Sequence, residues 1–299
     1  MRLLITGAWN ASRQQLEQLE AMGHEVIWHQ QERDALPVAY DAVEGVICNG
    51  LFLHHPIEKF TSLSYIQLTS AGFDRVPMDY VREKGIRIRN ARDVYSIPMA
   101  EFALCGVLQL YKQSRFFEKN QAAGQWVKHR GLLELAGKTV VILGCGSVGT
   151  ACAERFRAFG CKVIGINRSL REDRAYDSMA PLEQLDALLP EADVLVLTLP
   201  LTEQTRHLMD RERFEKMKPG AVLVNIARGP VVDSEALIRW LEADRGSAVL
   251  DVFEEEPLAV DSALWHLENV ILTPHNSFVG EGNGARLASV ILGNLEKIC

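Results

Sequence analysis

The stretch GKTVVILGCGSVG, residues 137–149, decides how the rest of the chain reads. TVVIL (139–143) is an apolar run of strand length. Gly144, Gly146 and Gly149 follow it in a GxGxxG spacing, and TACAERFRAF (150–159) continues as a helical pattern. KVIGI (162–166) then closes a βαβ unit of the length expected around a dinucleotide-binding turn. Three glycines alone are a weak signal, and the strand before them and the helix after them supply the context. In such a turn Gly144 permits the tight bend, Gly146 lets the backbone approach a pyrophosphate, and Gly149 lets the helix pack close to the strand. Ser147 and Val148 open the helix, whose free N–H groups and partial positive charge suit phosphate.

The second strand of this unit ends unusually. About 18 residues past the last glycine, a carboxylate ordinarily takes the hydroxyls of the adenosine ribose. Here KVIGINRSLR (162–171) places Asn167 there, followed by Arg168 and Ser169. A carboxylate would repel a 2′-phosphate; at about 4 Å and an effective dielectric of about 20, one unit pair is worth about 4 kcal/mol before screening. Asn167 removes that repulsion, Arg168 offers a fork for phosphate oxygens, Ser169 adds a hydroxyl, and Arg171 is placed to join them. The pattern favours NADP(H), with NAD(H) as the alternative.

Outward from this unit, short apolar runs alternate with helical stretches almost from end to end, the pattern of a parallel sheet covered by helices. Strands are expected at 2–6, 24–28, 45–48, 65–69 and 86–89, and a second series at 139–143, 162–166, 193–199, 221–227, 247–252 and 269–273. SRQQLEQLEAMG (12–23) reads as a helix that Gly23 stops. SIPMAEFALCGVLQLYKQ (96–113) is apolar on more than one face, as in a connector or a subunit interface. The fold class expected is α/β with two Rossmann-like domains: residues 1–97 plus 276–299 as a flavodoxin-like substrate domain, and 98–275 as the dinucleotide-binding domain.

The 299 residues are 47% hydrophobic and 24% charged, enough to bury a sizeable core in each domain. A formal net charge of −7 argues against a general nucleic-acid binder. No uninterrupted apolar run reaches the ~20 residues that span a bilayer, and the N-terminus reads as a strand, so a cytoplasmic protein with no membrane partner is expected. The six cysteines form no CxxC pair and suit no metal, and buried reduced thiols are expected, Cys48, Cys105 and Cys161 lying in apolar segments.

Polar groups cluster where strands of the second series end: NIARGPVVD (225–233), LDVFEEEP (250–257) and LTPHNS (272–277). The carboxyl ends of strands are where open α/β sheets place ligands. With LPLTEQTRHLM (199–209) and MKPGAVLVNIARGPVVD (217–233), these stretches resemble, in order and spacing over essentially the whole chain, the D-isomer-specific 2-hydroxyacid dehydrogenase family. The resemblance implies a cleft between two domains, a homodimer, and a first domain completed by the last helix. It implies that Arg228 holds the substrate carboxylate and polarises the 2-keto oxygen, that His275 donates the proton in reduction, and that Glu256, just before the proline, orients the histidine. It places Asp251 near the nicotinamide carboxamide, Pro200 and Ala227 against the cofactor, and the backbone of Ser70, Ala71 and Gly72, in LTSAGFD, around the substrate carboxylate.

The chemistry calls for this set. Hydride arriving at a keto carbon builds negative charge on the oxygen, so a cation and a proton donor must be aimed there. The implied activity is reduction of a small 2-keto acid, glyoxylate or hydroxypyruvate, to the D-2-hydroxy acid. The alternative is a cofactor-sensing regulator of the same fold that binds a protein partner. Two departures stand out: Asn276, Ser277 and Phe278 follow the histidine where many members carry glycines, and Glu101–Phe102 stands where a histidine commonly follows the glutamate. His54 and His55 are expected to line the cleft entrance.

Overall fold

The computed structural model describes residues 1–169 and 173–298, so Arg171 lies outside the described residues. It divides into two units, Met1–Tyr95 with Gly280–Cys299, and Ser96–Val279.

The first unit is built on five parallel strands: β1 (Arg2–Thr6), β2 (Glu25–His29), β3 (Gly45–Cys48), β4 (Tyr65–Leu68) and β5 (Arg87–Arg89). Their order, β2-β1-β3-β4-β5, is the flavodoxin-like one. The strands are apolar at successive positions because both faces of the sheet are covered. Leu4, Val46 and Ile66 face one side with Phe60 and Leu63, while Leu3, Ile5, Ile47 and Tyr65 face the other. That second side is closed by the helix Asn283–Glu296, whose Leu287, Ile291 and Leu295 recur every fourth residue. The buried Gln67 is satisfied within this layer, accepting from Tyr65 Oη and from Asn294 Nδ2, both at 2.9 Å. Ser12 caps the helix Arg13–Ala21 reciprocally with Gln15, and Gly23 at φ +86° ends it.

The second unit carries seven parallel strands: β6 (Thr139–Leu143), β7 (Lys162–Ile166), β8 (Ser178–Ala180), β9 (Val194–Leu197), β10 (Ala221–Asn225), β11 (Gly246–Leu250) and β12 (Val270–Leu272). The order β12-β11-β10-β9-β6-β7-β8 reverses direction at β6, so β6 and β9 flank the switch point. One face buries Val141, Leu143, Leu195 and Leu223; the other buries Val140, Ile142, Val194 and Val224.

The helix Ser96–Tyr111 packs on this second face, and Gly106 lies so close to Val249 that a Cβ there would stand 2.6 Å from its Cγ1. Taken with the turn before it, Arg92–Tyr111 is long and apolar enough by length and composition to cross a membrane, although Arg92, Asp93 and Glu101 interrupt it. Half of it is buried inside the fold, with Ala100, Ala103 and Val107 fully enclosed, which is how a core helix meets the same criterion. Cys105, on its outer side, is exposed, contrary to the expected burial; Cys48, Cys145, Cys152 and Cys161 are buried.

Candidate active site

The strand registers pair Ile166 with Leu143, Leu143 with Leu197, Leu197 with Asn225, Asn225 with Leu250 and Leu250 with Leu272. Six strands therefore stop in one row. The residues that follow them, Asn167, Gly144, Thr198, Ile226, Asp251 and Thr273, start the loops of a single sheet edge.

At the switch point the three glycines do different things. Gly144 has φ +95°, in the left-handed region, and a Cβ there would stand 2.8 Å from the Leu199 nitrogen. Gly149 touches the turn itself, since its Cβ would fall 2.1 Å from Gly144 O. Gly146 has nothing within 4 Å of its Cβ direction, and it caps the helix Ser147–Ala158. This fits a dinucleotide: one glycine bends the chain, one packs the helix, and one leaves open the approach to N–H groups at a helix start. Thr198 Oγ1 donates to Gly144 O at 2.5 Å and pins the turn to β9. Ser147 is exposed and Val148 half-buried at this helix start. Pro200 is exposed after β9, its carbonyl accepting from Thr205 Oγ1 at 2.8 Å. Past β7, Asn167 Nδ2 donates to Ser169 O at 2.9 Å, folding a small turn on which Arg168 and Ser169 are exposed.

On the other side of the switch point, the Arg228 turn is held by Asn225, a buried residue at the end of β10. Its Oδ1 accepts from Ala227 N at 3.1 Å and its Nδ2 donates to Arg228 O at 3.2 Å. Ala227 is buried and its carbonyl accepts from Arg228 Nη1 at 2.8 Å. Gly229 presses this turn against the next loop, for a Cβ there would fall 1.9 Å from the carbonyl carbon of Phe253. The sequence carries Arg228 to the Phe253–Glu256 loop by this contact.

Asp251 is fully buried, and both its oxygens are engaged within the protein. Oδ1 accepts from Thr273 Oγ1 at 2.6 Å and from Asn276 N at 2.7 Å, and Oδ2 accepts from Ser277 N at 2.9 Å. In addition, His275 N donates to Asp251 O at 2.8 Å. Asp251 is thus the clamp of the His275 loop, a task the resemblance did not give it. It holds His275 at φ +52°, left-handed for a residue with a side chain.

The His275 ring meets Glu256, Nδ1 to Oε2 at 2.8 Å, and the other oxygen of Glu256 accepts from Phe253 N at 3.1 Å. A carboxylate only accepts, so Nδ1 carries a proton, and Nε2 is the ring nitrogen that Glu256 does not engage. Phe278 sets its ring edge-on to the imidazole at 6.2 Å.

A second pair sits on the same loop, and the sequence reading missed it. His207 Nε2 meets Glu254 Oε1 at 2.5 Å, and Glu254 Oε2 accepts from Ser234 N at 2.9 Å. Burial opposes ionisation of Glu254, but the bonds from Ser234 and His207 outweigh it and hold the carboxyl below its usual range. The one available signal was the histidine in TRHLM; its partner lies 47 residues on.

Ser70, Ala71 and Gly72 lie in the first unit, after β4. Ser70 Oγ donates to Gly72 O at 3.1 Å, and Asn90 Nδ2 donates to Ala71 O at 2.5 Å. His55 is buried and bonded to Glu32 O at 2.8 Å and Tyr40 Oη at 2.9 Å. It is a satisfied structural imidazole and not the cleft-entrance residue expected; His54 is exposed.

Residues 104–277 match the family described as D-isomer specific 2-hydroxyacid dehydrogenase, NAD binding domain. The chain is similar to glyoxylate/hydroxypyruvate reductase A HPR2 of Arabidopsis thaliana, 37% identical over 80% of this chain and 76% of that protein. It resembles the crystal structure of a D-isomer specific 2-hydroxyacid dehydrogenase from Xanthobacter autotrophicus in complex with NADPH and MES, with a TM-score of 0.82 and 29% identity over 99% and 94% of the two chains. A glyoxylate reductase from Paecilomyes thermophila gives a TM-score of 0.84 and 28% identity over 99% and 94%. With two all-parallel α/β units, a glycine turn shaped for a dinucleotide and a match across most of the second unit, this chain belongs to the D-isomer specific 2-hydroxyacid dehydrogenase family and carries that family's nicotinamide dinucleotide-binding domain.

Proposed function

We propose that the protein reduces a small 2-keto acid, glyoxylate or hydroxypyruvate, to the D-2-hydroxy acid with NADPH preferred over NADH. The observation that carries this is the His275–Glu256 pair at 2.8 Å on the loop pressed against the Arg228 turn. The names of the relatives support the substrate class. Asn167 and Arg168, in place of a carboxylate, support the cofactor preference, as does the NADPH named with the Xanthobacter structure.

In this reading the turn at Gly144, Gly146, Ser147, Val148 and Gly149 holds the pyrophosphate, Asn167, Arg168 and Ser169 hold the adenosine end, and Pro200, Ala227 and Asp251 lie toward the nicotinamide. The bound cofactor supplies the hydride. Arg228 binds the substrate carboxylate and draws charge onto the keto oxygen, with Ser70, Ala71 and Gly72 as further backbone contacts for the carboxylate. His275, protonated on both nitrogens, gives its Nε2 proton to the forming alkoxide, and Glu256 stabilises the imidazolium before transfer and fixes the neutral tautomer after it. The same imidazole takes the proton back in oxidation.

Two further parts of the reading concern assembly and place. A homodimer is supported by the stretch after the helix Ser114–Ala122, where Trp126 is 95% exposed and Val127 and Leu133 are also exposed. A cytoplasmic location is supported by buried thiols kept in the protonated form: burial pushes the pKa of Cys152 up to about 12 and that of Cys161 up to about 11.

The test is to follow NADPH and NADH absorbance separately with glyoxylate, hydroxypyruvate, pyruvate and phenylpyruvate. Glyoxylate or hydroxypyruvate is expected to give the highest kcat/KM, about tenfold or more better with NADPH, about 1.4 kcal/mol of discrimination. Preference for NADH would remove the cofactor half of the proposal. Cofactor binding with no turnover of any acid would favour the sensing role instead.

A further inference from the structure

The ring of His207 is bound at its tip, by Nε2, to a carboxylate that contacts nothing reactive. Glu254 is gripped on one oxygen by His207 at 2.5 Å and on the other by Ser234 N at 2.9 Å. His207 itself is anchored to the Arg228 turn: its N–H donates to Pro230 O at 2.8 Å, and Met209 N donates to Val231 O at 3.1 Å. Its backbone takes φ +49°, a conformation that a side-chain-bearing residue keeps only when its surroundings hold it. The loop between Glu254 and Glu256 contains one residue, and Gly229 touches its start.

We propose that His207 is a positioning residue for the keto-acid reduction: by clasping Glu254 it locks the Arg228 turn and the Glu256 loop into one frame, which fixes the guanidinium relative to the imidazole. This rests on the reaction proposed above. Two separate loops carry the groups that must converge on one oxygen, and misplacement by about 1 Å costs up to a hundredfold in rate. Gly229 holds the loops together at one point, and Ser234 N, on Glu254 Oε2, ties the far end of the Arg228 segment at another; the clasp adds a tie through Pro230, on the turn itself, which limits rotation between the two.

The test uses the full-length protein. NADPH fluorescence titration gives the concentration of binding sites, and kcat and KM for the preferred keto acid are measured per site, with Tm alongside. His207→Ala is expected to lower kcat about tenfold, with KM and the NADPH Kd held within about twofold. Glu254→Ala, which also releases Ser234 N, is expected to lower kcat at least as much, and the double variant to lose no more than Glu254→Ala alone, because it already breaks the His207 contact. His207→Gln, whose amide reaches the carboxylate, is expected to recover most of kcat. Should His207→Ala not fold, His207→Asn, whose amide falls short, replaces it against His207→Gln. Wild-type kcat per site in His207→Ala would overturn the role, as would single effects that multiply in the double variant. No turnover by the wild type on any of the four acids would remove the proposed reaction and this role with it; turnover by the wild type and an unaffected His207→Ala would remove the role alone.

Discussion

His275 and His207 each meet a glutamate from one short loop, both in left-handed backbone, and each glutamate spends its other oxygen on a backbone N–H. The difference lies in which ring nitrogen is committed. His275 is held by Nδ1, the nitrogen nearer its own backbone, so Glu256 does not engage the far nitrogen, the proposed proton donor. His207 is held by Nε2, so its far end is the tether. An imidazole gripped near its root is a tool, and one gripped at its tip is a strut. The same two residue types thus acquire opposite duties from one choice of contact atom.

The sharpest way to break this comparison is to delete the tool. His275→Ala is expected to lower kcat by about 10²–10⁴-fold, the range for a general acid, while NADPH affinity measured by fluorescence stays within about twofold. A comparable fall in His207→Ala would erase the distinction. Next, Glu256→Gln keeps the shape and removes the charge that steadies the imidazolium; about a hundredfold loss in kcat is expected, read from the same assay. A loss below threefold, roughly 0.7 kcal/mol, would mean that Glu256 only orients the ring.

The smallest effect concerns stability. The Glu254 carboxyl lies below its usual range in the folded protein. A lowered native value means that the ionised form stabilises the fold. That contribution is full above the unfolded value near ~4.3 and is lost as pH falls through the native value. For a partly exposed pair it is worth up to about 1 kcal/mol. The difference in urea midpoint between wild type and Glu254→Gln should therefore be present at pH 7 and shrink as pH falls below the unfolded value. A difference that stayed constant with pH would point to shape and not to charge.

Much of this was legible in the chain. The parallel strands of the two sheets follow from apolar runs that need cover on both faces, and Gly144, Gly146 and Gly149 each met the local demand their spacing predicted. Other parts were not legible, for stated reasons. β8 is three residues, Ser178, Met179 and Ala180, too short and too mixed to show a period. The helix Ser114–Ala122 was not expected; it buries no residue and so prints no apolar stripe. The resemblance put Asp251 near the nicotinamide; that its carboxylate also collects Thr273, Asn276 and Ser277 depends on a loop 22 to 26 residues away and could not be read from the chain. His207 was invisible for the same reason. Local pattern reveals elements and turns, whereas pairs between loops come into being only once the sheet edge has gathered them.

The order in which the chain leaves the ribosome gives the closing helix a further meaning. The second unit is continuous and has all its residues by Val279, but the first unit's sheet waits for Leu287, Ile291 and Leu295 to cover Leu3, Ile5 and Ile47. A nascent chain must therefore carry its earliest strands with one apolar face covered by Trp9, Leu19 and Val94 but not yet by the last helix while the later unit folds, and this is the interval in which chaperones or aggregation would compete for it.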